Sequence, residues 1–197
     1  IGGGLLGLEA AYGLKQRGMN VTVLHLMDRI MERQLDSKAS QMLRHSIEQK
    51  GISIITEANT EALVGVDGHV TQIRLKDGTV LEADLVVFAV GIRPNMALAQ
   101  SAGLRCNRGV LVNDTMQTFD PSIYSIGECI EHRGSVFGLV DPLWGQAFVC
   151  ATHLAEHGSL TFKTLPTPTQ LKVSGVDVFS AGNIEANEDC EDIVLND

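Results

Sequence analysis

The 197-residue sequence has few cysteines and no pair of them at short spacing. Its four cysteines are Cys106, Cys129, Cys150 and Cys190. None forms the CxxC pattern that is typical of zinc sites, iron–sulfur clusters and dithiol redox centres. We therefore expect reduced thiols and no metal ligands in this chain.

Basic residues and long apolar runs are also scarce. The sequence has 15 lysines and arginines against 24 aspartates and glutamates, and its net charge of −9 repels nucleic acids and anionic membrane surfaces. No apolar run approaches the roughly 18 residues of a membrane span, and no signal-peptide pattern is present. We expect a cytoplasmic protein that binds neither nucleic acid nor membrane. The 44% hydrophobic content suffices for a sizeable core in one or two domains.

Glycine is concentrated at the start of the chain, where Gly2, Gly4 and Gly7 form a GxGxxG pattern. In such a loop the first glycine permits a tight turn, the second lets the backbone approach a pyrophosphate, and the third allows close packing of helix on strand. The amides of Leu5 and Leu6 would donate hydrogen bonds to phosphate. The pattern predicts a dinucleotide site, although nearly all of the preceding strand is missing, so we expect a piece of a longer chain.

The segment after this loop supplies the helix and strand that the motif requires. Apolar spacing predicts a helix that ends at Gly18 and a strand over 21–24. The residue that ends the second strand often distinguishes NAD from NADP, and here it is His25, with Asp28 and Arg29 just beyond it. The sequence leaves the preference between NADH and NADPH open.

The next elements predict an α/β fold of the Rossmann type. Asp36 or Ser37 can cap a helix that ends at Gly51, and a short strand follows over 52–55. The apolar positions expected to pack on this helix are Ala39, Met42, Leu43 and Ile47.

A second sheet is predicted within this domain. The Asp-Gly pairs at 67–68 and 77–78 favour tight hairpin turns and therefore a three-stranded antiparallel meander. The continuous apolar run at 85–90 is typical of a central parallel strand that is buried on both faces. That strand would carry the loop at 91–95 to the carboxyl edge of the sheet, where open α/β sheets bind ligands. The candidate residues of this loop are Gly91, Ile92 and Arg93.

With a further strand at 109–114 and the segment 118–129 added, the order of elements resembles that of flavoproteins with two dinucleotide-binding domains, which carry FAD and a nicotinamide cofactor. The shared features are the GxGxxGxE loop, the meander, the GxRPN loop and a strand that ends in Gly127 and an acid. The resemblance implies that a ribitol hydroxyl of FAD donates a hydrogen bond to this acid. In the family the acid is usually aspartate, and here it is Glu128. It also implies a helix that starts at Pro142 and directs its N-terminus toward the flavin ring, with Leu143 and Trp144 in its first turn. The sequence predicts that this helix extends to 157 and packs through Ala147, Ala151, Leu154 and Ala155.

Two further residues have competing interpretations. The resemblance places Glu9 beside the nicotinamide, but an acid in the first turn of a helix is also favoured by the helix dipole alone. Arg93 could shape the nicotinamide pocket or could simply be solvated. We expect no catalytic side chain, because the cofactors themselves carry hydride and electron transfer.

A narrower resemblance is to the flavoprotein part of assimilatory nitrite reductase large subunits. It rests on the segments 25–36, 125–134, 138–144 and 171–182. It implies electron transfer from NAD(P)H through FAD to iron–sulfur and sirohaem centres on missing chain, and it leaves a homodimer open. A stand-alone ferredoxin or rubredoxin reductase, or an NADH oxidase with its redox cysteine on missing chain, shares the same features. The fragment alone could be an inactive binding module.

A zinc hydrolase is the remote alternative. The HxxEH pattern at 153–157 would place two histidines on one helical face, with Glu185 or Glu188 as a further ligand. A polar last helical turn before Gly158 explains the same residues.

The predicted domains are a nicotinamide domain at 1–108, a returning part of an FAD domain at 109–160, and the start of an interface domain at 161–197. Pro166 and Pro168 mark a linker, and a strand pair is expected from Thr169 onward.

Overall fold

The computed structural model describes residues 1–156, 158–165, 169–173, 176–182 and 184. These residues form two compact units. One unit contains residues 1–91 and the described residues from 169 onward, and the other contains residues 92–165.

Helices and strands alternate from α1 to β2, and the rest of the described chain consists mainly of runs of strands. The helices are α1 (Leu5–Gln16), α2 (Ser37–Gln49), α3 (Ala97–Ser101) and α4 (Asp141–Leu154). The strands are β1 (Val21–Leu24), β2 (Ile52–Ile55), β3 (Thr60–Val66), β4 (His69–Leu75), β5 (Val80–Glu82), β6 (Val110–Val112), β7 (Ile130–His132), β8 (Ser135–Val136), β9 (Thr169–Val173) and β10 (Val176–Ser180). Among the described residues, no helix is long and apolar enough to cross a membrane.

The first unit contains the Rossmann-like α/β arrangement that the sequence predicts. Strands β1 and β2 pair in parallel, and α1 and α2 pack beside them. The buried core includes Leu8, Ala11, Val23, Leu43, Ile47, Ile52 and Ile54. The side chain of Asp36 accepts a hydrogen bond from Ala39 N at 2.8 Å and caps α2, as expected. Met42 does not pack in this core and is exposed, which corrects the sequence-based expectation.

The meander also follows the sequence prediction. Strands β3, β4 and β5 pair antiparallel in that order. Asp67 and Gly68 both have positive φ, of 51° and 81°, as a type I′ turn requires. At the second turn Gly78 alone has positive φ, and the carboxylate of Asp77 accepts a hydrogen bond from Thr79 N at 2.9 Å.

The predicted central strand at 85–90 does not form. Its side chains are largely exposed, with Leu85 at 56%, Phe88 at 59% and Val90 at 68%. In the described part of the chain its neighbour is Ile1, whose N-terminus donates to Val87 O at 2.6 Å and whose carbonyl accepts from Ala89 N at 2.8 Å. A central strand is buried where strands pair with it on both sides and other layers cover both of its faces. Among the described residues, pairing with this segment is limited to Ile1, and Val86 is the one side chain of the segment that packs against a core cluster.

The second unit is built around α4 and a small mixed sheet. Strand β7 pairs in parallel with β6 and antiparallel with β8. The core consists of Met116, Ile130, Phe137, Val149, Cys150 and Phe162. Burial raises the pKa of the Cys150 thiol, which favours the neutral thiol over the thiolate.

Three expectations for the second unit were wrong. The segment before Gly127 is not a strand, since its pairing is limited to one bridge between Gln117 and Tyr124 among the described residues. Helix α4 ends at Leu154 rather than at 157, which lies outside the described residues. Its packing face is also different: the buried positions are Gln146, Val149 and Cys150, whereas Ala151, Leu154 and Ala155 are exposed and Ala147 is half-buried.

The predicted strand pair near the end of the chain is confirmed. Strands β9 and β10 pair antiparallel, with Thr169 opposite Ser180, and Val176 and Val178 pack against the core of the first unit. The linker positions Pro166 and Pro168, the further zinc ligands considered at Glu185 and Glu188, and Cys190 lie outside the described residues.

Candidate dinucleotide sites

The glycine loop before α1 has the geometry of a dinucleotide-binding turn. Gly2 has φ +113°, and a Cβ there would lie 2.2 Å from Ala89 O. A Cβ at Gly7 would lie 1.9 Å from Gly2 O, so helix and loop touch as backbone against backbone. A Cβ at Gly4 would meet no described atom within 4 Å. Thus Gly2 and Gly7 are required by packing, whereas Gly4 borders open space.

The N-terminus of α1 is available to an anion. Gly4 is the N-cap of this 12-residue helix, and within the described residues no side chain caps it. Its carbonyl accepts from Leu8 N at 3.0 Å, as the first bond of the helix, whereas the first N–H groups of a helix have no partner within it. Leu5 and Leu6 therefore present amides beside Gly4, with the Leu6 side chain exposed and that of Leu5 half-buried.

His25 is turned inward against the glycine loop. Gly3 N donates to His25 Nδ1 at 3.0 Å, and His25 Nε2 lies 3.1 Å from Glu32 Oε2. Because a backbone N–H can only donate, Nδ1 must be unprotonated and the ring proton sits on Nε2, facing the carboxylate. Both ring nitrogens are therefore engaged within the protein. The role of His25 in choosing between NADH and NADPH stays a prediction. The side chain of Asp28 is more exposed than those of His25 and Arg29.

The other candidate residues of the nicotinamide site lie at the surface. Glu9 is exposed on α1, and Gly91, in the first unit, has φ +86°. In the second unit, Ile92 and Arg93 are exposed. Among the described residues, no carboxylate forms an ion pair with Arg93. The roles of Glu9 and Arg93 at the nicotinamide stay predictions.

The second unit brings the predicted flavin residues onto two connected elements. Gly127 has φ +98°, and its N–H donates to Gln146 Oε1 at 2.8 Å, which ties the Gly127–Glu128 turn to α4. Glu128 is exposed. At the start of α4, Pro142 occupies the first turn, Leu143 is half-buried, and Trp144 is 73% exposed.

Sequence reasoning missed Gln146. Its side chain is completely buried, and its Nε2 has no hydrogen-bond partner in the described structure. The available signal was a glutamine in the otherwise apolar helical segment 143–150.

A network of polar side chains around the buried His132 was also missed. His132 is completely buried, with Nε2 at 2.9 Å from Asp114 Oδ1 and Nδ1 at 3.1 Å from Thr164 Oγ1. Arg133 forms two hydrogen bonds with the Asp114 carboxylate, and these bonds, followed by that of His132, lower the pKa of Asp114 to about 2. Phe162 packs edge-on against His132 at a centroid distance of 5.2 Å. The network joins the end of β6, β7 and the segment after α4.

Glu131 is a buried acid in this sheet. Burial alone raises its pKa, but hydrogen bonds from Arg108 N, Asn107 Nδ2 and Gly109 N outweigh it and lower the pKa below its usual range. These contacts fix the turn before β6 and give Glu131 a structural role.

The region of the HxxEH pattern has a different arrangement from a zinc site. His153 Nδ1 lies 2.9 Å from the hydroxyl of Tyr124, and the two rings are in tilted contact. The described residues contain no group of three or more histidine, cysteine, aspartate or glutamate side chains that could hold a metal ion. Residue 157 lies outside them.

Comparison with known proteins connects these sites to a family. Residues 1–149 match the pyridine nucleotide-disulphide oxidoreductase family, and residues 168–197 match the rubredoxin NAD+ reductase C-terminal domain. Over its whole length the chain is 51% identical in sequence to a Bacillus subtilis nitrite reductase [NAD(P)H], of which the alignment covers 24%. It is 45% identical to the assimilatory nitrate reductase electron transfer subunit of the same organism, of which the alignment covers 25%. The chain thus spans about a quarter of the length of these curated relatives.

A solved structure agrees with this assignment. The NAD-dependent persulfide reductase from A. fulgidus superposes with a TM-score of 0.87 at 32% identity, over 95% of this chain and 35% of that one. The family model covers three quarters of the sequence, and the fold and the glycine loop agree with it. The chain therefore belongs to the pyridine nucleotide-disulphide oxidoreductase family.

Proposed function

We propose that this chain is the nicotinamide- and FAD-binding part of an NAD(P)H-dependent nitrite reductase large subunit. In this proposal electrons pass from NAD(P)H through FAD to an iron–sulfur cluster and sirohaem carried elsewhere in the polypeptide. The observation that carries it is the 51% identity over the whole chain to a nitrite reductase. We further propose the domain division 1–108, 109–160 and 161–197, a cytoplasmic location and assembly as a homodimer.

The nicotinamide cofactor would bind at the glycine loop. The open space at Gly4 and the uncapped N-terminus of α1 fit a pyrophosphate, which is anionic and needs close backbone N–H donors. The amides of Leu5 and Leu6 would donate to it, while Gly2 and Gly7 keep the loop tight. In the proposal, Glu9, Gly91, Ile92 and Arg93 would be candidates for contacts toward the nicotinamide end.

The second unit fits an FAD site by the same physical tests. Gly127 has the positive φ that a tight turn at a ligand requires, and nothing described lies within 4 Å of a Cβ there. The exposed carboxylate of Glu128 can accept hydrogen bonds from ribitol hydroxyls, one methylene farther out than the usual aspartate. Pro142, Leu143 and Trp144 form the first turn of α4, and the exposed indole offers an apolar surface to a planar ring.

The chain's own residues would bind and orient the cofactors rather than react. When bound, FAD supplies a two-electron acceptor that hands electrons on to one-electron centres. The N-terminus of α4 would favour negative charge near it by about 0.3–1 kcal/mol if exposed and about 2 kcal/mol if partly buried. That stabilisation tunes the flavin and does not drive catalysis.

The second candidate is a stand-alone ferredoxin or rubredoxin reductase, with an NADH oxidase as its variant. The match of residues 168–197 to the rubredoxin NAD+ reductase C-terminal domain favours it. Both candidates use the same binding residues and differ only in the electron acceptor.

The test is the visible absorption spectrum of the protein expressed from the complete reading frame, before and after anaerobic NADH. We expect flavin bands that bleach, together with sirohaem absorption. Bleaching flavin without sirohaem would favour the stand-alone reductase, and the absence of any flavin would overturn the proposed function.

A further inference from the structure

We propose that Gln146 is a positioning residue of the flavin site, whose side chain holds the Gly127–Glu128 turn in the shape that binds FAD. The inference rests on the proposed function, because it concerns the same flavin site. It assigns a role to a residue that neither the glycine pattern nor the helix N-terminus includes.

The contact between Gln146 and the turn is unambiguous in its chemistry. The Gly127 N–H donates to the side-chain amide of Gln146 at 2.8 Å. A backbone N–H cannot accept, so the atom that faces it must be the oxygen Oε1 and not the nitrogen. Gln146 therefore anchors a backbone group of the very turn that carries Glu128.

Gly127 needs such an anchor. Its φ of +98° lies in the region that only glycine adopts readily, and an added Cβ would meet no described atom within 4 Å. On the side where a Cβ would lie, therefore, no packed group restrains Gly127. A fixed acceptor on a helix is the contact that selects one conformation of the turn, and with it one position of the Glu128 carboxylate.

The other half of the Gln146 amide is unfavourable for stability. Gln146 is 0% exposed, and its Nε2 has no hydrogen-bond partner among the described residues. Its helical neighbours Val149 and Cys150 belong to an apolar core. An unpaired buried donor is destabilising, and a methionine of similar size would avoid it. Local rules of stability are typically violated where a residue serves a site.

The test compares two buried positions on the same helix, in the protein from the complete reading frame. Gln146→Met removes the acceptor but keeps the side-chain volume, whereas Val149→Ala weakens the core and leaves Gly127 untouched. FAD is removed and titrated back by flavin fluorescence, and the thermal midpoint of the apoprotein is measured for each variant. We expect Gln146→Met to raise the Kd for FAD at least tenfold. Its thermal midpoint should stay close to that of the wild type, because the unpaired Gly127 N–H offsets the removal of the unpaired Nε2. We expect Val149→Ala to lower the midpoint and leave the Kd within twofold.

A third variant separates the acceptor from the amide as a whole. Gln146→Glu keeps an oxygen for the Gly127 N–H at the same chain length, so it should bind FAD within threefold of the wild type and keep its flavin band positions. Should Gln146→Met not fold, a folded Gln146→Glu that has lost FAD would overturn the inference. Wild-type affinity in Gln146→Met, or losses of affinity that simply follow the thermal midpoint in all variants, would also overturn it. A wild-type protein without FAD would instead overturn the proposed function.

Discussion

Gly7 and Gly13 lie on the same helix, α1, but their surroundings differ completely. A Cβ at Gly7 would lie 1.9 Å from Gly2 O, whereas one at Gly13 would meet no described atom within 4 Å. Because Gly7 belongs to the GxGxxG pattern and Gly13 does not, the sequence indicated a packing requirement for glycine at Gly7 only.

We predict opposite effects of alanine at these two positions. Gly7→Ala must push the helix away from the loop, so it should destabilise the fold and abolish NADH binding. Gly13→Ala should raise the free energy of unfolding by about 0.5–1 kcal/mol, because alanine is the better helix former and meets no obstacle. Chemical denaturation and NADH titration measure both effects. A Gly7→Ala protein that binds NADH normally would show that the close contact is not needed.

His25 offers a second prediction at this scale. Its ring bonds Gly3 N and Glu32 rather than facing solvent. His25→Ala leaves the Gly3 N–H unpaired and removes this anchor of the glycine loop. We therefore expect NADH and NADPH to bind about fivefold more weakly or worse, and to the same extent, since about fivefold corresponds to about 1 kcal/mol. The two affinities are measured by fluorescence titration, with the exposed Arg33→Ala in the same loop as the control.

The ratio of the two affinities decides what His25 does. A parallel loss would assign it to holding the glycine loop. A strong preference between NADH and NADPH that disappears in His25→Ala would instead make it the selector.

At the scale of elements, the Asp114 network joins parts that are distant in sequence. Asp114 follows β6, His132 ends β7, and Thr164 lies beyond α4. Phe162 N donates to Asp114 O at 2.7 Å and adds a backbone link to the same segment.

The network makes the second unit sensitive to acid. The pKa of Asp114 is lowered to about 2, mainly by the hydrogen bond from Arg133, so its ionised form favours the folded state. This contribution is complete above the ordinary aspartate value of about 4 and is lost as the pH falls through the folded value of about 2. Asp114→Asn should therefore be less stable than wild type at pH 7, and the difference should vanish on the way from about pH 4 to about pH 2.

Thermal unfolding at several pH values tests this expectation. The control is Asp177→Asn, an exposed aspartate on β10. A stability difference for Asp114→Asn that stays constant below pH 4 would contradict the assignment.

Local signals predicted the elements whose ends are encoded in a few adjacent residues. The Asp36 cap, the Asp-Gly turns and the strands over 21–24 and 52–55 all appear as expected. The segment at 85–90 was predicted wrongly, because its apolar run specifies a need for burial but cannot supply the layers that bury it. The position of helix α4 was predicted correctly, but its buried face was not. Alanine is compatible with both a buried and an exposed helix face, so the alanines of α4 did not indicate which face packs.

On the scale of the whole molecule, each unit exposes apolar side chains. Leu85, Phe88 and Val90 do so in the first unit, and Trp144 and Phe148 in the second. Clusters of this kind commonly mark surfaces that other protein or ligand covers.

We predict that the 197-residue chain by itself binds the dye ANS strongly. In the proposed function, the rest of the polypeptide and FAD cover part of this surface, so the protein from the complete reading frame should bind less ANS per chain. ANS fluorescence at equal molar concentration measures the difference. Equal fluorescence would show that these side chains stay exposed in the longer protein.

The sequence by itself determined the Rossmann-like class, the meander, the glycine loop and the family resemblance. All of these depend on residue types at short, regular spacing, and their physics is local: turns, caps and backbone access to phosphate. The tertiary structure decided the inward orientation of His25, the link from Gln146 to Gly127, the Asp114 network and the exposure of 85–90. These depend on contacts between residues far apart in the chain, where the geometry of packing, and not residue type or spacing, selects each partner.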